Sequence, residues 1–376
     1  MTLDTLTPSD TRTPSRRLTP RHLAQAVLLA ACAVLATDCG PPAAEEARPG
    51  PLDGAPPAAQ LVEQTYTTMG TELHLRAWTT DAVAAGEAFE AVFTEFDRLD
   101  ALLSVWREGS DVVRLNLAAG REPVRVSADT LEVLQLARQL SEWTDGKFDV
   151  TFGALSGLWK FDHDQDDRIP ARAEVARRLP LIDYRALVID EAAGTAFLAR
   201  AGMSAHLGGI GKGYALDRGA AILRARGIDD FLIQSGGDLY AGGLRDGAPW
   251  RLGIRDPRGP EDQVFARLDV SDATFSTSGD YERAFLENGR RYHHIIDPDT
   301  GEPAQGCRSV TIVARQAAIA DALSTGVFLL GPARGMALVE RLPDVDAVIV
   351  TDRNEVLVSS GLSDRLVRLA PPTDAP

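Results

Sequence analysis

Apolar residues recur along this chain in two rhythms. From residue 82 to 103, Phe89, Val92, Phe93, Phe96, Leu99, Leu102 and Leu103 fall three and four apart, which predicts a helix with one buried face. A second helix is expected to start near Asp129, where Asp129 and Glu132 have the spacing of a capping box and Leu131, Leu134 and Leu140 form the apolar side. A third is expected from Lys212 or Gly213 to Arg226, stopped by Gly227, and a fourth over 317–330. Residues 65–77 read as a strand. So do 185–190, 195–200, 231–235, 251–255, 265–270, 310–314 and 346–350. Pro180, Pro257 and Pro298 fall in expected turns. The connections vary too much for a regular strand–helix alternation. The pattern therefore predicts an α+β domain with mixed or antiparallel sheets and packed helices, and no short tandem repeat is visible.

The first 60 residues follow other rules. Arg12, Arg16, Arg17 and Arg21 precede an apolar run from Leu23 to Leu35, too short for a membrane span and suited to an export signal over residues 1–39. Leu29-Ala30-Ala31-Cys32 resembles a lipoprotein processing box, with Cys39 a weaker second choice, and Ser15-Arg16-Arg17-Leu18 resembles a twin-arginine signal. A basic tail with a chance alanine-rich stretch is the alternative. Residues 40–60, rich in Pro, Ala and Gly, read as a linker, and residues 61–370 as the folded domain. An exported, periplasmic protein tethered by a lipid anchor is the expectation.

The formal charge of -15 argues against a nucleic-acid partner, which needs a concentrated basic face. An apolar content of 44% over 376 residues is enough for a full core. Of the three cysteines, only Cys307 lies in the expected domain, so neither an internal disulfide framework nor a cysteine-bound zinc or iron–sulfur centre is expected.

Five polar features need an explanation. His206-Leu207-Gly208-Gly209-Ile210-Gly211-Lys212-Gly213-Tyr214 precedes an expected helix; glycines and a helix start bring N–H groups to an anion, and Lys212 adds charge. It is neither a P-loop nor GxGxxG, and the same glycines suit tight strand–turn–helix packing. Ile233-Gln234-Ser235-Gly236-Gly237-Asp238 ends a strand in two glycines and a carboxylate, fit for a ribose or phosphate or for a plain hairpin. Asp321 and Thr325, at i and i+4 in an otherwise apolar helix, share a face and offer oxygens suited to Mg²⁺ beside a diphosphate; a buried hydrogen-bonded pair is the alternative. In Tyr292-His293-His294-Ile295-Ile296-Asp297-Pro298-Asp299, adjacent histidines in a strand point to opposite faces, so one of them can serve a site, while Asp297 and Asp299 suit a turn. Lys147-Phe148-Asp149, with Met69, Trp106 and Trp159, can supply an aromatic cleft for flat rings or simply belong to the core.

In their order these segments closely resemble the ApbE family, the FAD:protein FMN transferases. The resemblance starts at Met69-Gly70-Thr71 and runs through Leu103-Ser104-Val105-Trp106, the Gly146 to Leu155 stretch, Leu207 to Ala215, Gly236-Gly237-Asp238, Thr277-Ser278-Gly279, His293 to Pro298 and Ala320 to Thr325. It implies an enzyme that binds FAD with Mg²⁺ and passes FMN to a Thr or Ser of a target flavoprotein, releasing AMP. It implies that Met69, Trp106, Lys147, Phe148 and Asp149 line the FAD site, with Lys212 and His294 facing the nucleotide. Asp321 and Thr325 would hold Mg²⁺, aided by a backbone carbonyl around Gly209 to Gly211. His294 or a carboxylate would take the acceptor proton.

One departure stands out. The family usually carries Asp immediately before Leu-Gly-Gly, and this chain carries His206. The substitution leaves an FAD pyrophosphatase, with water in place of the protein hydroxyl, as an alternative. A flavin-binding or electron-transfer protein is the non-catalytic one.

Overall fold

The computed structural model describes residues 58–161 and 164–375. The expected export signal, its Cys32 box and most of the linker lie outside the described residues. The main sheet has eight strands, all antiparallel, lying side by side in chain order. They are β1 (Gln60–Thr68), β2 (Thr71–Thr79), β3 (Phe231–Ser235), β4 (Asp238–Gly242), β5 (Ala273–Gly279), β6 (Cys307–Ala314), β7 (Asp346–Thr351) and β8 (Val356–Val358). Four helices pack on the sheet or frame the cavity at its end: α1 (Ala82–Leu103), α2 (Ala128–Trp143), α3 (Gly211–Ala225) and α4 (Ala317–Leu330).

Strand alternation explains the layering. Val310 and Ile312 of β6 and Ile349 of β7 join Phe89, Phe96, Leu216 and Leu323 in a core between sheet and helices. Val313, Val348 and Val350 point the other way, into a second core with Trp250, Phe265 and Leu268. That second core is closed by a small antiparallel sheet of Trp250–Arg255, Val264–Val270 and Val367–Arg368. β6, covered on both faces, is buried along its whole length. These layers are the α+β architecture that the hydrophobic pattern predicts.

The helical rhythm places α1 and α4 at the expected residues, and Asp81 caps α1 by accepting the Ala84 N–H at 2.9 Å. Two expectations fail. The single strand at 65–77 is a hairpin: β1 and β2 pair from Thr68↔Thr71 outward, and Met69 (φ 49°) and Gly70 (φ 72°) make the two-residue turn. The start of α2 is capped by Ser127, whose hydroxyl accepts the Thr130 N–H at 3.1 Å. Asp129 and Glu132 face away and accept the Tyr214 hydroxyl at 2.9 and 2.8 Å, tying α2 to α3.

Candidate active site

A cavity of about 420 Å³ opens where the β3–β4 turn, the end of β5 and the first turns of α3 and α4 converge. Gly236 (φ 58°) lets β3 fold back on β4, so Ser235 pairs with Asp238 and the carboxylate stands at the cavity wall. Gly208 and Gly209 line the cavity as well. A Cβ on Gly209 would lie 3.3 Å from the Phe148 ring and 3.8 Å from Thr325 Oγ1, so this backbone passes close over the helix face that carries Thr325.

The charges are concentrated at the start of α3. The Lys212 ammonium is bound by Asp238, and Asp321 Oδ1 lies 3.8 Å from it. Asp321 Oδ2 accepts the Gly213 N–H at 3.0 Å. The sequence holds no cation near Asp321; the fold supplies one from the start of another helix. Burial raises the Asp321 carboxyl pKa, and the Asp238 charge adds to the rise; Lys212 and the Gly213 N–H oppose it. Lys212 stays protonated, because the two carboxylates outweigh the burial that would neutralise it.

A wall of hydroxyls joins strand to helix. Ser276 Oγ donates to Asp238 Oδ1 at 2.5 Å. Ser278 Oγ lies 2.8 Å from Ser324 Oγ and 3.1 Å from Thr325 Oγ1, and Ser324 donates to the Asp321 carbonyl at 2.8 Å. These bonds satisfy buried polar groups and fix the side chains on the cavity face of α4.

The histidine pair divides as strand geometry requires. His293 Nε2 donates to the Ala304 carbonyl at 3.0 Å and is buried. His294 lines the cavity, and its buried Nδ1 has no hydrogen-bond partner within the protein. Burial, then the charge of Arg283, pushes the His294 pKa down to about 3, so its imidazole is neutral and keeps an acceptor for a ligand.

Lys147 and Asp149 behave unlike simple ligand contacts. Lys147 Nζ grips both Asp297 oxygens at 2.7 and 2.8 Å and Asp299 at 2.9 Å, fastening the loop after His294. Asp297 is therefore an ion-pair residue as well as a turn residue, where its Oδ1 accepts the Asp299 N–H at 3.0 Å. Asp149 lines the cavity but spends its oxygens inward, on the Thr151 N–H and hydroxyl and on the Tyr184 N–H. Burial raises its pKa.

Phe148, His206, Gly209, Lys212, His294, Asp321 and Thr325 thus share one cavity. Met69 and Gly211 are outside its lining. Gly211 belongs to the first turn of α3, and Met69 packs against the main core. Trp106, 59% exposed, lines a neighbouring cavity of about 490 Å³. His206, Ser156 and Trp159 border both. His206 Nδ1 accepts the Gly208 N–H at 3.1 Å, and its ring lies 5.4 Å from that of Phe152. Ser278, Glu282, Arg283 and Phe152, which no sequence motif singled out as ligand contacts, also line the site.

Two expectations are corrected. Among the described residues no group of three or more His, Cys, Asp or Glu side chains could hold a metal ion, so the expected metal-binding character is not built as a cluster of such side chains around Asp321, Thr325, Gly209 and Gly211. The only carboxylate in that set is Asp321, and it is already engaged by Gly213 and Lys212. Nor is any described helix long and apolar enough to cross a membrane, so the expected membrane association has no support among the described residues.

An antiparallel sheet faced by helices, with a helix-start lysine and two carboxylates gathered at one cavity, defines an α+β protein of one recognisable class. The ApbE family pattern matches residues 69–349, and the chain belongs to that family. It is 32% identical over 293 residues to an FAD:protein FMN transferase of Klebsiella pneumoniae, covering 78% of this chain and 90% of that protein. With the FAD:protein FMN transferase of Treponema pallidum it shares 35% over 314 residues, 79% of this chain and 86% of the relative. The fold matches the crystal structure of the ApbE protein from Thermotoga maritima with a TM-score of 0.75 and 33% identity, over 81% of this chain and 98% of that one. The flavin transferase ApbE from Vibrio cholerae matches with a TM-score of 0.74 and 29% identity, over 82% and 99%. The chain is a homologue of flavin transferases.

Proposed function

We propose that this protein is an FAD:protein FMN transferase. The observation that carries the reading is the meeting of Gly208, Gly209, Lys212, Asp321 and Thr325 with Phe148, Phe152 and Trp159 in one cavity. The first group suits a diphosphate, the second a flat ring system. The reaction is a phosphoryl-type transfer. The hydroxyl oxygen of an acceptor Thr or Ser attacks the FMN phosphorus of FAD. A new P–O bond forms, the P–O bond to the AMP phosphate breaks, and AMP leaves with that electron pair. The acceptor proton passes to a base, a carboxylate or His294, drawn from the residues that line the cavity.

Magnesium belongs to this reading as a companion of the FAD diphosphate. The donors on α4, a carboxylate and a hydroxyl, are hard oxygens; two of them cannot fill an octahedral shell, so substrate oxygens and water must supply the rest. When bound, Mg²⁺ would supply charge stabilisation at the diphosphate. In this reading Lys212 and the Gly208–Gly209 backbone that line the cavity orient that diphosphate, and Gly213 keeps Asp321 in place. Export before activity is part of the same proposal and rests on the basic and apolar leader ahead of Cys32.

The test incubates the domain with FAD, Mg²⁺ and an acceptor fragment containing Thr or Ser. Mass spectrometry should show an FMN-sized addition to the fragment and free AMP. Free FMN and AMP without that addition would replace transfer by hydrolysis. Asp321→Ala should abolish turnover in either case, and full activity in that variant would remove Asp321 from the site.

A further inference from the structure

The one carboxylate of α3, Asp217, is not in the cavity and reaches the start of α4. Asp217 Oδ1 accepts the Ala317 N–H at 2.8 Å, and Oδ2 accepts the Ala318 N–H at 2.9 Å. These are N–H groups of the first turn of α4, whose own cap position, Gln316, makes no side-chain capping bond. The helix that carries Asp321 and Thr325 is therefore capped from a different helix.

Two further contacts lock the same pair of helices. Gly213, one turn before Asp217, packs so closely that a Cβ there would lie 2.3 Å from the Ala317 carbonyl oxygen. Its N–H holds Asp321 Oδ2 at 3.0 Å. Cap, close approach and carboxylate anchor run in order along α3 at residues 217 and 213. Together they fix both the slide and the rotation of α4 against the glycine loop. Among the described residues no ion pair engages Asp217. A half-buried carboxylate without a cation is costly to keep for stability alone, since a local Ser or Asp at 316 would cap the helix without that cost.

We infer that Asp217 is a positioning residue for the transfer reaction: by holding the Ala317 and Ala318 N–H groups it sets α4 so that Asp321 and Thr325 face the substrate diphosphate. The inference rests on the proposed binding of FAD at this cavity. Asp217 touches no substrate; it acts through the register of α4.

The test measures FAD affinity in the presence of Mg²⁺ by quenching of flavin fluorescence, together with kcat and KM. It compares the full chain, Asp217→Asn, Thr325→Ala and the double variant, with circular dichroism to confirm folding. Asp217→Asn keeps the shape but leaves one N–H without its acceptor. It should weaken FAD binding about tenfold or more. The double variant should lose little beyond Thr325→Ala, because both changes disable the same helix face. Wild-type affinity and turnover in Asp217→Asn would overturn the inference. Losses that multiply in the double variant would also overturn it, since they mark an effect independent of that face. If Asp217→Asn fails to fold, Asp217→Ser, which keeps a short acceptor, takes its place in the same cycle. Absence of FAD binding by the unaltered protein would instead sink the proposed function, and this inference with it.

Discussion

Lys147 Nζ is held between both carboxylate oxygens of Asp297, at 2.7 and 2.8 Å, although 150 residues separate the two. The side chains are 13% and 19% exposed, so solvent screens the pair less than it would a surface bridge. Burial alone would lower the Lys147 pKa; the Asp297 and Asp299 carboxylates more than offset this, and the pKa is raised. The pair fastens the loop that comes after His294 to the segment that bears Phe148.

Cutting that fastening should loosen one side of the cavity. Lys147→Met is expected to weaken FAD binding by about 1–3 kcal/mol, the cost of stranding a partly buried carboxylate. Fluorescence titration measures it. Lys147→Arg should retain most of the affinity. Unchanged binding in the Met variant would show that the loop is held elsewhere.

Gly213→Ala tests the helix crossing. The added methyl would fall 2.3 Å from the Ala317 carbonyl oxygen and 2.6 Å from its carbon, both backbone atoms that cannot swing aside. Loss of about 1–3 kcal/mol is expected, read from urea unfolding. Gly227→Ala is a useful contrast: nothing lies within 4 Å of its Cβ position, and any loss there comes from its φ of +76°.

Asp217 predicts a pH signature. Burial pushes its pKa up to about 6, against the pull of the Ala317 and Ala318 N–H groups, and the Glu132 charge adds to the rise. A raised carboxyl pKa means that the folded protein keeps a proton the unfolded chain releases. The associated stability is present below about pH 4 and is lost as pH rises through about 6. The stability of Asp217→Asn relative to the unaltered protein should therefore improve between pH 4 and pH 7, by up to about 3 kcal/mol. Thermal or urea unfolding across that range measures the difference; a flat difference would place the ordinary carboxylate pKa at Asp217.

His206 predicts a change in outcome more than in fold. Its Nδ1 accepts the Gly208 N–H two residues on, the same bond an aspartate makes in this setting. His206→Asp should thus fold with a melting temperature close to that of the unaltered protein while adding negative charge at the border of the two cavities. The ratio of FMN transferred to FMN released should rise. Quantifying labelled acceptor against free FMN decides it, and an unchanged ratio would acquit His206 of controlling transfer.

Structure was legible in the chain where the chemistry is local. The α4 limits at 317 and 330 and the α1 apolar stripe are written in spacing. β5 is not, because Ser276, Thr277 and Ser278 give no hydrophobic alternation; their hydroxyls are absorbed by Asp238, Thr311, Ser324 and Thr325. Ser127 outcompeted Asp129 as the cap of α2 because Tyr214 claims Asp129 from another helix. The residues brought to the cavity as motifs, Gly209, Lys212, His294, Asp321 and Thr325, could be named in advance. The partners that consume Lys147, Lys212 and Asp149 could not, since Asp297, Asp238 and Tyr184 meet them only through the fold.

The main sheet keeps its strands in the order in which they are synthesised. Each departure from it, such as the one between β5 and β6 that carries the Ala284–Glu287 and Arg290–His293 hairpin, returns to the adjoining strand position. The scaffold is therefore modular along its length. An excursion can be lengthened, shortened or exchanged without rethreading the sheet, so a family built this way can vary its surface by editing loops while leaving the cavity wall on α3 and α4 alone.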